Sequence, residues 1–78
     1  MSNTPHELAE EFPQAVDKIH TMKLENAHFA RLCDEYHEVN RAIHRAETRA
    51  EVVSEEHETS LRRTRMTLKD EISKMLSA

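Results

Sequence analysis

The 78-residue chain has no glycine, no tryptophan, one cysteine, two prolines and three aromatic side chains. Without glycine it lacks the residue that enters left-handed backbone freely, and with it the usual means of building phosphate cradles and tight catalytic turns. With Cys33 alone no intramolecular disulfide can form, which agrees with a reducing compartment. No apolar run approaches the roughly 18 residues that a membrane span requires. The opening Met1-Ser2-Asn3-Thr4-Pro5 carries neither the basic nor the apolar region of a signal peptide, so the expected location is cytoplasmic, with no membrane partner. Large apolar residues are also scarce. Leucine, isoleucine, valine and phenylalanine together number 15, at the edge of the range in which chains bury enough apolar surface to fold. A core this small leaves no room for a deep concave pocket, which argues against an enzyme, a small-molecule substrate and a bound cofactor.

Charge, by contrast, is abundant. Charged residues make up 33% of the chain, for a net charge of -4. Residues 1–40 hold three bases and eight acids, whereas residues 41–69 hold seven bases and five acids. The chain therefore runs from an acidic beginning to a mildly basic middle.

The spacing of the apolar residues predicts helices throughout. Thr4-Pro5-His6-Glu7 has the form of a capping box with proline at the first helical position, which predicts a helix starting at Pro5. Leu8, Phe12, Val16 and Ile19 then share one face, interrupted at Pro13, whose missing N–H predicts a kink or restart. Asn26 is a suitable N-cap for the next helix. From there Phe29, Leu32, Tyr36, Val39, Ile43, Ala46 and Ala50 follow a heptad stripe. Leu61, Leu68, Ile72 and Met75 continue it out of phase by one position, so the helix must break near residues 50–55, where Ser54 can cap and Glu55 and Glu56 suit the start of a new helix. Folding the second helix back pairs positions whose numbers sum to about 105, given equal rise along antiparallel helices. On that register Tyr36 faces Leu68, Glu35 approaches Lys69 and Glu38 approaches Arg65. The expected architecture is an all-α, coiled-coil-like antiparallel helical hairpin with an N-terminal helical arm. It forms one small domain over 1–78, with the arm at about 5–23 and the hairpin helices at about 26–50 and 55–76.

Four stretches carry a resemblance: Ile19-His20-Thr21-Met22-Lys23, Asn26-Ala27-His28-Phe29, Glu35-Tyr36-His37-Glu38-Val39-Asn40-Arg41-Ala42-Ile43, and Leu68-Lys69-Asp70-Glu71-Ile72-Ser73-Lys74-Met75-Leu76. Together with Glu47 and the basic run Arg62, Arg63 and Arg65, they resemble the YdcH-like family of small bacterial proteins, most specifically at Leu68-Lys69-Asp70-Glu71-Ile72. The family is a domain of unknown function, usually drawn as a helical hairpin. The resemblance implies that fold and a bacterial cytosolic setting, and supplies no activity, cofactor or catalytic residue.

Six histidines and a cysteine raise the question of metal. His37 and His44 lie two turns apart, roughly 10 Å, too far to share one zinc ion. Cys33 with His37 is an i, i+4 pair without the further ligands that structural zinc requires, so no metal site is expected, and the thiol and imidazoles read as surface groups. The same pair lacks the third orienting group and the pocket that a catalytic cysteine needs. Arg41, Arg45 and Arg49 form one row and Arg62, Arg63 and Arg65 return beside it, a place where phosphate or an acidic partner could sit, although no aromatic is interleaved for base stacking. A two-helix hairpin also leaves Leu8, Phe12, Val16 and Ile19 uncovered. The candidate interaction surface is therefore Leu8, Phe12, Val16 and Ile19 with Arg41, Arg45, Arg49, Arg62, Arg63 and Arg65. The expected function is a non-enzymatic helical protein–protein interaction module that binds itself as a homo-oligomer or binds another protein. The alternative is a small nucleic-acid-associated factor using the arginine end, which the acidic net charge disfavours.

Overall fold

A computed structural model describes residues 4–78; Met1, Ser2 and Asn3, part of the segment read above for targeting, lie outside the described residues. Four helices follow one another, α1 (Leu8–Glu11), α2 (Val16–Glu25), α3 (Ala27–Glu47) and α4 (Glu55–Ser77), and the described residues contain no strand. The all-α hairpin is formed by α3 and α4, and α1 and α2 make up the arm.

The caps fall where short polar side chains stand before the apolar stripes. Asn26 Oδ1 accepts from the Phe29 N–H at 3.1 Å, and Ser54 Oγ accepts from the His57 N–H at 3.1 Å. Each satisfies one of the N–H groups that a helix start leaves without an internal partner. Glu55, Glu56 and Glu58 follow in the first turn of α4, against the positive end of the helix dipole. Pro13 acts as expected, since α1 stops at Glu11 and helix resumes only at Val16.

Two boundaries differ from the sequence reading. The helix anticipated at Pro5 begins instead at Leu8, with Glu7 as its N-cap. Pro5 and His6 form a turn in which His6 takes φ 63°, and their carbonyls serve α3 rather than an arm helix. The Glu7 carboxylate likewise reaches His37 instead of closing a capping box. At the other end α3 stops at Glu47, three residues short of the expected 50, because Arg49 adopts φ 64°. The Arg49 and Glu51 N–H groups then bond back to the carbonyls of Ala46 and Arg45, closing the helix end in a left-handed turn that ordinarily falls to glycine.

The antiparallel register is the expected one: Arg65 Nη1 donates to Asn40 Oδ1 at 2.8 Å, and those two numbers sum to 105. The ion pairs anticipated on it do not form. Lys69 bonds Glu11 of the arm and Arg65 bonds Asn40, while Glu35 and Glu38 stay exposed. Lys69 turns to the carboxylate that the arm brings, and Arg65 to the buried Asn40 amide oxygen on α3.

One apolar cluster joins arm and hairpin: Leu8, Ile19, Phe29, Leu32, Cys33, Tyr36, Leu68 and Ile72, with Phe12, Met22, Val39, Met75 and Leu76 packed on it. A two-helix seam covers only the heptad stripe of α3, yet Cys33 and Asn40, beside that stripe, are buried as well. A third element is required to bury them, and the arm supplies it. Leu8 and Ile19 are therefore core residues, 4% and 8% exposed, and not part of an open interaction surface as the sequence suggested. Docking the arm removes from water the apolar face that an isolated hairpin would leave bare.

Candidate interaction surface

The arm lies over one half of the hairpin. Through the Pro5 carbonyl it reaches the level of Asn40 and Arg65, so among the described residues the hairpin has a three-element proximal half and a two-helix distal half.

The proximal half is closed by a row of polar contacts between arm and hairpin. Asn40, 1% exposed, donates through Nδ2 to the Pro5 carbonyl at 2.8 Å while its Oδ1 accepts from Arg65. The buried Tyr36 hydroxyl donates to the His6 carbonyl at 2.6 Å. His37 Nδ1 lies 2.7 Å from Glu7 Oε2, with the ring nitrogen as donor, and Lys69 Nζ donates to Glu11 Oε1 at 2.8 Å. Lys69 also stands over the Phe12 ring, 5.9 Å from its centroid. Near the hairpin's open ends, the Lys18 ammonium donates to the Leu76 carbonyl in the last turn of α4, where the helix dipole favours a cation.

These contacts set the electrostatics of the core. Hydrogen bonding to Lys69 lowers the Glu11 carboxyl below its ordinary range, with Coulombic help from Lys69 and His6. Burial pushes the Tyr36 hydroxyl up to about 12, reinforced by the Glu11 charge. Burial likewise raises the Cys33 thiol, which is fully enclosed and so differs from the surface thiol expected. A thiol in this state is a small apolar core group, protonated and sequestered from reagents. Among the described residues, no group of three or more His, Cys, Asp or Glu side chains converges as metal ligands would. Every buried side-chain N or O among them has a hydrogen-bond partner.

The arginines divide between the two halves. Arg65 is half-buried on Asn40 and belongs to the arm contacts. In the distal half Arg62 pairs with Glu47 at 3.0 Å and with Glu58 at 2.7 Å, and Arg45 pairs with Glu51 at 3.5 Å. Arg41, Arg49 and Arg63 are exposed and have no ion-pair partner among the described residues. The six arginines thus do not converge on one patch. Residues 41–64 hold five arginines and five glutamates, so the positive excess of the middle of the chain rests on Arg65 and Lys69, both committed to the proximal half.

Apolar side chains remain exposed on the arm and on the distal half. Val16 is 43% exposed, in contrast to Leu8 and Ile19, and Phe12 is partly covered. Met66, beside Arg65 on α4, is 67% exposed, and Val52 in the distal connection is 89% exposed. Val52 and Val53, with Ala46, line a shallow groove beneath the connection that Glu47, Glu51, Glu55 and Glu58 border. Nothing in the described chain covers Met66 or Val52.

No helix among the described residues is long and apolar enough to cross a membrane. No curated protein and no solved structure matches the chain. The family described as "Protein of unknown function (DUF465)" does match, over residues 29–76, the span from the first core residue of α3 to the last turn of α4. The matched segment is the hairpin itself, with the arm outside it, and by this match over well more than half its length the chain belongs to the DUF465 family, as its YdcH-like sequence features imply.

Proposed function

We propose that the chain is a cytoplasmic, non-enzymatic helical module whose distal hairpin half binds a helical protein partner. The observation that carries this reading is the apolar surface left exposed at the connection between α3 and α4. Among the described residues a third element packs on the core as far as Asn40 and Arg65, and beyond them α3 and α4 continue as a pair, with Val52 exposed and Val53 and Ala46 lining the groove beneath the connection. An amphipathic helix laid along that pair would extend the packing that the arm begins. The side-chain chemistry of the proximal half is consumed in holding the arm, which supports a binding role over a catalytic one. The balanced charge of residues 41–64 favours protein over nucleic acid, because phosphate binding requires an excess of cations.

The test is capture from the source cell with the full chain and two variants. Val52→Glu should abolish a specific protein partner while leaving the melting temperature unchanged, and the triple variant Arg41→Glu, Arg49→Glu, Arg63→Glu should reduce binding only modestly. Retention that ignores Val52→Glu, disappears with the triple variant and falls steeply with salt would instead establish the nucleic-acid reading.

A further inference from the structure

α2 and α3 are separated by a single residue. Asn26 is the C-cap of the first and the N-cap of the second, at φ −133° and ψ 107°. Although the chain bends there, the Asn26 N–H still bonds the Met22 carbonyl at 2.8 Å, and its own carbonyl still accepts from the Ala30 N–H at 3.0 Å. Both are the i to i−4 bonds of an uninterrupted α-helix. A change in the dihedrals around Asn26 therefore separates the bent chain from one rod running from Val16 to Glu47. No glycine or proline stands at the bend, and its neighbours Leu24, Glu25 and Ala27 are strong helix formers. The bend is held only by the Asn26 side chain on the Phe29 N–H and by the docking of the arm.

We propose that the chain also pairs with a second copy of itself, through exchange of the arm at Asn26. The proposal goes beyond the preceding reading, because the exchanged arm seats on the proximal half and leaves the distal half to its own partner. In the exchanged dimer each chain straightens into the rod, and its arm seats Leu8 and Ile19 on the other copy's core. The arm contacts are all remade between chains: the Pro5 carbonyl to Asn40, the His6 carbonyl to Tyr36, Glu7 to His37 and Glu11 to Lys69. What changes is local to the hinge, where the Asn26 cap is given up and the Ala27, His28 and Phe29 N–H groups gain helical acceptors. Short hinges of this kind invite exchange because the closed and exchanged forms share their interface. A second observation points the same way. Leu24, two residues from the hinge, is 77% exposed in the closed chain. Two antiparallel rods crossing at Asn26 would bring Leu24 of each copy to the two-fold axis, where the other rod covers it.

The experiment uses the intact chain and its own contact between Lys69 and Glu11. Isotopically heavy and light chains are unfolded together and refolded at high concentration, monomer and dimer are separated, and a carbodiimide joins the Lys69 amine to the Glu11 carboxylate, with loss of water, wherever the two touch. Arm exchange predicts that about half of the 11–69 linked peptides from the dimer pair one heavy and one light chain, as random mixing of two-fold dimers requires, while the monomer yields uniformly labelled links only. Asn26→Ala removes the cap at both hinges and should raise the dimerisation constant about thirtyfold, from about fivefold per hinge. Uniform labelling in the dimer would reject arm exchange and leave a face-to-face protein-binding module standing. A monomer at every concentration, for both the parent chain and Asn26→Ala, would reject it too, and the partner would then be a different protein. The mixed-label readout on the parent chain decides the question even if Asn26→Ala folds poorly.

Discussion

Removing the Asn40 side chain tests whether the arm is an integral part of the core. In Asn40→Ala two hydrogen bonds of 2.8 Å disappear together, one to the Pro5 carbonyl and one from the Arg65 guanidinium. A neutral bond contributes about 1 kcal/mol net and a bond from a charged donor about 1.5–3 kcal/mol, so the gross loss is about 2.5–4 kcal/mol. Arg65 is only half-buried and water reaches part of what it loses, which brings the expected cost to about 2–3 kcal/mol. In a domain of this size that lowers the melting temperature by about 10–20 °C. Urea unfolding followed by far-ultraviolet circular dichroism measures the free energy directly. A double-mutant cycle with Arg65→Ala should return a coupling of about 1–2 kcal/mol, the signature of two groups that act on each other rather than separately on the fold. Amide exchange in α1 should accelerate in step, because the arm loses its furthest anchor. A loss below about 0.5 kcal/mol with an unchanged denaturant slope would refute the reasoning, since water would then replace both bonds at no cost.

Ile19→Asp places a carboxylate without a partner in the shared core and should destabilise the chain by about 3 kcal/mol or more, enough to unfold a domain this small; a stable, folded variant in urea titration would mean that the arm is dispensable. Arg49→Gly relieves a side chain held at φ 64° where α3 ends and should stabilise the fold by about 0.5–1 kcal/mol, read from the urea midpoint, whereas a loss would mean that the arginine makes contacts worth more than its strain. Tyr36 is the single tyrosine in a chain without tryptophan, so absorbance near 295 nm follows it alone. Its hydroxyl is raised from 10 to about 12 in the folded chain, so the stability it contributes is complete below about pH 10 and declines as pH rises through the folded value. Tyrosinate should therefore appear only together with loss of helical signal, and ionisation near pH 10 in a fully folded chain would contradict the burial of Tyr36.

The sequence by itself determined the starts of the two hairpin helices with their Asn26 and Ser54 caps, the break at Pro13 and the pairing of the hairpin. Asn26, Ser54 and Pro13 act through backbone groups one turn away or less, and the heptad stripe of α3 and the phase slip that ends it are local periodicities, so each could be read without knowing what lay opposite. The register near 105 follows from the equal rise of two helices. Tertiary structure alone decided the role of the arm. Whether Leu8 and Ile19 were surface or core depended on where a separate segment came to rest, and the same docking turned Cys33 from a surface thiol into a core residue and drew Lys69 and Arg65 away from Glu35 and Glu38. The one available signal was the seven-residue step from Cys33 to Asn40 beside the stripe, which widens the buried face of α3 beyond what a two-helix seam can cover. The left-handed turns at His6 and Arg49 carried no signal, because neither residue type favours positive φ enough to announce it. Contacts made across 30 or more residues, such as those of Pro5 and His6 with Asn40 and Tyr36, depend on chain geometry that local pattern does not encode, and they fix which half of the hairpin the arm covers.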